Sequence, residues 1–131
     1  MCPSGDGNVN NYGDPNNVRN CYLVGLTDLY GALDYVRNAV AGYLNSLVAL
    51  GVAGIRIDAA KHMWTEYIAA ITSRVNNLPT EHGFAPNSKL FVYSEVIDRN
   101  DGAVRVDEYY DVGTVDVVWL LTRHFLTGNL F

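Results

Sequence analysis

Two acidic residues each close a short apolar run. Asp58 ends Gly54-Ile55-Arg56-Ile57-Asp58, and Glu95 ends Phe91-Val92-Tyr93-Ser94-Glu95. In parallel α/β folds the carboxyl ends of the strands form the working face, because the loops there leave a crevice while the body of the sheet stays packed. The two acids lie 37 residues apart, the spacing of one strand-helix repeat with a long loop. If the strands are neighbours, their ends come within about 5 Å. Two carboxyl groups about 5–5.5 Å apart suit double-displacement cleavage of a glycosidic bond, one attacking the anomeric carbon and the other moving the proton. Arg56, two residues before Asp58, shares its strand face, and a guanidinium there favours the ionised carboxylate. Asp58 is therefore the expected nucleophile. Glu95 has no Lys or His in its strand and is flanked by Tyr93 and Val96, which favours an acid/base role. The competing reading is an ordinary Arg56–Asp58 ion pair with Glu95 as a solvated strand end.

The elements that must carry these residues follow from hydrophobic period. Tyr35, Val36, Ala39, Val40, Tyr43, Leu44, Leu47 and Val48 recur at helical spacing, predicting a helix over 34–50 with one broad buried face. Gly51 stands at its stop position, and Val52 to Ile57 reads as a buried strand. Trp64, Tyr67, Ile68, Ile71, Val75 and Leu78 predict a second helix ending at Pro79, with Tyr43, Trp64 and Tyr67 as packing residues. A strand over 89–97, a polar acidic loop over 98–111, a strand over 113–119 and a helix over 120–126 complete the order. Alternation of this kind predicts an α/β fold built from parallel βαβ units. The strands read as apolar on both sides, which suits a sheet covered on both faces. Three candidate strands cannot close an eight-fold barrel, which takes about 250 residues. The chain is either a small open α/β domain or a piece of a larger barrel.

Composition narrows the function further. The 131 residues carry nine Lys and Arg against fourteen Asp and Glu, a formal charge of −5. No basic cluster is present to bind nucleic acid or an anionic membrane. No apolar run approaches the ~20 residues that cross a bilayer, and the first residues lack the order of a signal peptide. The chain is thus expected to be cytosolic or to lack its true start. Cys2 and Cys21 enclose a polar, Asn-rich stretch. A bridge between them would add roughly 3 kcal/mol and imply an oxidising compartment, while two free thiols are equally compatible with the residues. Three scattered histidines give no zinc spacing, and His82 and His124 are expected at the surface. No glycine-rich turn follows a strand to cradle a phosphate.

The stretch from Gly51 to Trp64, Gly-Val-Ala-Gly-Ile-Arg-Ile-Asp-Ala-Ala-Lys-His-Met-Trp, closely resembles the fourth-strand nucleophile motif of the α-amylases (glycoside hydrolase family 13), especially those of animals. Phe91 to Asp98 resembles their fifth-strand acid/base motif, and Cys2, Tyr12, Val18-Arg19 and Cys21 resemble the end of their calcium-holding domain B. The resemblance implies a partial (β/α)8 barrel, about strands 4 to 6 over residues 28–131, preceded by the end of domain B over 1–27. It implies Asp58 as nucleophile, Glu95 as general acid/base and Arg56 as both partner of the nucleophile and chloride ligand. Lys61 and His62 become substrate contacts. Calcium would be held by the Arg19 carbonyl, the Asp28 carboxylate and the His62 carbonyl, an oxygen set suited to a hard cation. By the same resemblance Cys2 and Cys21 form a disulfide, the parent is secreted and monomeric, and its substrates are starch, glycogen and malto-oligosaccharides.

Parts of the family pattern are absent. The third catalytic Asp, within Asn-His-Asp, does not occur here, nor does the third-strand motif ending in Asn-His. The chain therefore reads as an internal section, expected to be inactive alone and marginal in stability because its strand edges are open. Ser94 replaces the Gln usual before the acid/base, which predicts an altered hydrogen bond beside Glu95. The stretch 111–119 also departs from the usual Thr-Glu-Phe. A related α-glucosidase or transglycosylase, and a non-catalytic carbohydrate-binding or calcium-stabilised protein, are the alternatives.

Overall fold

The computed structural model describes residues 1–112 and, for 114–116, the backbone. Three parallel strands, β1 (Gly54–Ile57), β2 (Phe91–Glu95) and β3 (Thr114–Asp116), lie in the order β1-β2-β3. Arg56 pairs with Tyr93 and Ile57 with Ser94 across the first interface. Ser94 pairs with Val115 and Glu95 with Asp116 across the second. Helices α1 (Pro15–Asn20), α2 (Asp34–Ala49) and α3 (Thr65–Thr72) complete the regular elements, with 3-10 turns at Ala60–His62 and Val106–Val112. The parallel α/β expectation holds for these residues. The end of the third expected strand, the helix expected over 120–126 and His124 lie outside the described residues.

Helix α2 ends one residue before its expected limit, and Gly51, at φ 92°, makes the left-handed exit that the stop signal required. Its apolar face is narrower than the period suggested. Leu44 and Val48 are buried with Ala41, whereas Tyr35, Ala39 and Tyr43 are exposed. Tyr43 is therefore not a packing residue among the described residues; Trp64 and Tyr67 are half-buried. The difference arises because α3 and the sheet cover only one side of α2 and leave its flank open.

Helix α3 stops at Thr72, six residues before the apolar pattern ends. Asn45 on α2 explains the early stop. Its Oδ1 accepts the Asn76 N–H at 2.7 Å and its Nδ2 donates to the Arg74 carbonyl at 3.3 Å, so the chain is held off the helical path. Val75 and Leu78 are buried nonetheless, with Ile71 against Ala41, Leu44 and Val48. A second apolar cluster, Val18, Ala60, Ile68, Val96, Val104 and Tyr109, joins α1 to the ends of the strands. The loop expected over 98–111 contains the 3-10 turn from Val106, which buries Tyr109.

One face of the sheet is covered and the other is open. Along β1 the exposure alternates, Gly54 and Arg56 exposed and Ile55 and Ile57 half-buried, where the apolar composition had suggested cover on both sides. This alternation separates the site from the core, because successive side chains point to opposite faces. Among the described residues no helix is long and apolar enough to cross a membrane.

Candidate active site

Both acids stand at the carboxyl end of the sheet, at the same level. Glu95 is the last residue of β2 and Asp58 follows β1 directly, in register with it. Arg56 lies between them: Nη1 pairs with Asp58 Oδ1 and Nη2 with Glu95 Oε1 at 3.1 Å. Arg56 contacts Asp58, the partner its strand position pointed to, and Glu95 as well. The guanidinium spans the interstrand gap and reaches Glu95, which has no cation in its own strand. The two acids differ in enclosure, the Asp58 side chain being 78% exposed and that of Glu95 26%.

The chain reverses immediately after Asp58. Ala59 adopts the left-handed region at φ 49°, ψ 34°, a conformation that costs an L residue about 1–3 kcal/mol. The reversal turns the Ala59 N–H back onto Glu95 Oε2 at 3.0 Å. Glu95 thus has one carboxylate oxygen on Arg56 and the other on the main chain behind Asp58. Local strain is spent on tying the two acids together.

Lys61 and His62 occupy the turn that follows. They line a cavity of about 410 Å³ with Tyr12, Ile97, Arg99 and Asp101. Lys61 Nζ donates to the Ile97 carbonyl at 2.8 Å and lies 5.5 Å from the Tyr12 ring centroid, and Tyr12 meets the His62 ring edge-on at 6.0 Å. An aromatic face beside ammonium and imidazole donors can receive a sugar ring with its hydroxyls. Burial lowers the Lys61 amine below its ordinary value, with Asp98 and Asp101 acting in the opposite sense. His62 is lowered as well, chiefly by burial, against the bond from Nδ1–H to the Val18 carbonyl at 2.9 Å.

The three expected calcium residues also meet. Arg19, Asp28 and His62 line a separate cavity of about 270 Å³ on the other side of the turn. Asp28 is exposed at its mouth, yet the protein on its inner side desolvates the carboxyl enough to raise it. Asp28 is the one carboxylate among the lining residues, and no group of three His, Cys, Asp or Glu able to hold a metal occurs among the described residues. The donor chemistry fits a hard cation only in part: the lining supplies one carboxylate, and the remaining oxygen ligands would come from main-chain carbonyls and from elsewhere. At Arg56, the proposed chloride position, Nη1 and Nη2 already face carboxylates.

Cys2 and Cys21 form a disulfide, which resolves the alternatives that their spacing left open. The loop they close is organised by buried Asn17. Its Oδ1 accepts the Asn10 and Asn11 N–H groups at 2.9 and 3.0 Å, and its Nδ2 donates to Ser4 Oγ and Asn10 Oδ1. Tyr12 is carried on this loop. Ser94 is fully buried, and its hydroxyl finds no hydrogen-bond partner among the described residues. Alternation along β2 turns Ser94 to the sheet face opposite Glu95, so its hydroxyl makes no bond beside the acid. His82 is exposed, as expected, with Nε2 at 3.1 Å from the Ala49 carbonyl.

Sequence reasoning missed Asn17, Glu108 and Tyr109. The first sits in a polar run that reads as irregular loop, and the other two lie some 90 residues from Arg19, which they contact.

No protein-family model matches the chain. The α-amylase of Phaedon cochleariae is 55% identical over 106 residues, covering 81% of this chain and 22% of that protein. The pancreatic α-amylase of Struthio camelus is 48% identical over 109 residues, 83% of this chain and 22% of its own length. The crystal structure of α-amylase I from Eisenia fetida superposes with a TM-score of 0.84 at 44% identity, over 87% of this chain and 23% of that one. A variant of that enzyme in complex with maltohexaose superposes equally well, at 43% identity and the same coverage. The chain spans about a fifth of the length of the curated relatives it matches. With these identities over four-fifths of its residues, and the same fold at high superposition, the chain belongs to the α-amylase family.

Proposed function

We propose that this chain is a section of a calcium-dependent, secreted and monomeric α-amylase that hydrolyses internal α-1,4-glucosidic bonds in starch, glycogen and malto-oligosaccharides with retention of configuration. The observation that carries the reading is the pairing of Asp58 and Glu95 at adjacent parallel strand ends, both bound by Arg56. Residues 28–131 would form about strands 4 to 6 of a (β/α)8 barrel, and residues 1–27 the end of domain B. The apolar groove of about 490 Å³ between α2 and β1, and exposed Leu26, Leu29, Tyr30 and Leu33, are consistent with cover by further chain.

In the first step Glu95 gives its proton to the leaving glycosidic oxygen while Asp58 Oδ attacks the anomeric carbon, forming a glycosyl ester and releasing the leaving saccharide. Glu95, now ionised, takes a proton from water, which attacks the same carbon and frees Asp58. The more exposed carboxylate has the room to reach the substrate; the more enclosed one, whose two oxygens accept from Arg56 and the Ala59 N–H, would give up one of those bonds to carry the proton. Lys61, His62 and Tyr12 would receive the leaving part of the substrate. Calcium bound by the Arg19 and His62 carbonyls and the Asp28 carboxylate would cross-link the first 27 residues to the strand ends. Chloride at Arg56 would have to compete with the two acids for its guanidinium.

The test is made on the full-length protein containing this chain. It should lower starch viscosity rapidly and release products of retained anomeric configuration. Glu95→Gln should reduce kcat by about 10²–10⁴. Inversion of configuration, or unchanged kcat in Glu95→Gln, refutes the assignment, and maltose cleavage without loss of viscosity turns it toward an α-glucosidase. The isolated 131 residues should be inactive, since the third acid and the opposite wall of the cleft are not among them.

A further inference from the structure

Three consecutive residues of α1 are tied to one short turn. The Val18 carbonyl accepts from His62, and Asn20 Oδ1 accepts from Trp64 Nε1 at 2.9 Å. Arg19, between them, reaches the turn through Tyr109. Its Nε donates to the Tyr109 hydroxyl at 3.2 Å, and that hydroxyl shares its proton between the carbonyls of Lys61, at 3.2 Å, and Met63, at 2.9 Å. These are the carbonyls on either side of His62.

The tie is unusually well braced. Tyr109 is fully buried, so an unmet hydroxyl would be costly. Arg19 is buried, pairs with Glu108 at 2.8 Å, and lies over the rings of Trp64 and Tyr109 at 4.9 and 5.5 Å. A buried guanidinium with this many satisfied donors, paired to a carboxylate at the surface, is held in one geometry.

We propose that Tyr109, braced by Arg19 and Glu108, is the positioning residue for the Ala60–His62 turn, fixing the main chain around His62 relative to α1. The two cavities meet at this turn: Lys61 and His62 face one, and Arg19, Asp28 and His62 line the other. The bridge therefore holds the main chain on both sides of His62 against Arg19, without touching an ion itself. This inference rests on the calcium reading given above.

The experiment is a titration with calcium alone of the chelator-stripped full-length protein, following heat release and the melting temperature. Tyr109→Phe removes only the hydroxyl and is expected to raise the half-saturating calcium concentration about tenfold, the loss of one buried hydrogen bond. Arg19→Lys keeps the carbonyl and the charge but not the Nε contact; it should shift the titration in the same direction and carries the test if Tyr109→Phe does not fold. A melting temperature lowered equally with and without calcium, at unchanged half-saturation, makes Tyr109 merely structural and overturns the proposal. Asp28→Asn is run in parallel. If it weakens calcium while Tyr109→Phe and Arg19→Lys do not, the positioning role alone falls; if it has no effect, the calcium reading falls and the positioning role with it.

Discussion

Removing the Cys2–Cys21 bridge tests how the first segment is held. The disulfide closes a loop across a separation of 19 residues. The chain-entropy relation for a loop of that length gives about 11 cal/mol/K, or about 3 kcal/mol at 25 °C. Helix α1, near the far end of the loop, is held independently by the contacts of Val18, Arg19 and Asn20. The loss therefore falls on residues 2–14, whose ties are polar: the four bonds of Asn17, the paired main chain of Asn8 and Tyr22, and the Ala103 N–H on the Tyr12 carbonyl. Each such bond contributes about 1 kcal/mol net, so the loop should be only marginally closed without the bridge. The variant is Cys2→Ser with Cys21→Ser in the full-length protein. Its unfolding free energy in urea should fall by about 3 kcal/mol, and limited proteolysis should cut first between residues 5 and 14. KM for a malto-oligosaccharide should rise more than kcat falls, because Tyr12 rides on the loop and faces Lys61 and His62. A loss under about 0.5 kcal/mol with unchanged proteolysis would refute the reasoning, since the polar network alone would then be sufficient.

Two further predictions concern stability. Asp98 is held below its ordinary carboxyl value of 3.8: desolvation pushes it up, but the N–H groups of Asn100 and Val106, with Arg105 at 3.1 Å, outweigh it. Its contribution is therefore complete above pH 3.8 and lost as the pH falls through the lower folded value. Asp98→Asn should flatten the fall in stability over that acid range, measured by urea unfolding at stepped pH; an unchanged slope would show that Asp98 is not its source. At Gly31, a methyl group would stand 2.7 Å from Tyr67 Cδ2, too close without displacing the ring that stacks under Arg37. Gly31→Ala should cost about 1–3 kcal/mol by urea unfolding, and a neutral result would mean that the ring moves freely.

Short-range patterning made much of this protein legible. Apolar period located α2, its glycine exit and strands β1 and β2, and residue type picked out the acids that close those strands. These features depend on residues a few positions apart, whose hydrophobic spacing and backbone preferences act locally. Residue pattern also identified Arg56 as a partner of Asp58, since two positions along a strand return to one face. Tertiary structure decided the rest. Register between β1 and β2 brought the Arg56 guanidinium to Glu95, and the left-handed turn at Ala59 aimed a main-chain N–H at the same carboxylate. Asn45 ended α3 from another helix, and Tyr109 reached the Ala60–His62 turn from the 3-10 segment that follows β2. Such contacts join residues 30 to 90 positions apart. No local preference encodes them, because they exist only once the strands have paired and the core has closed around the polar groups.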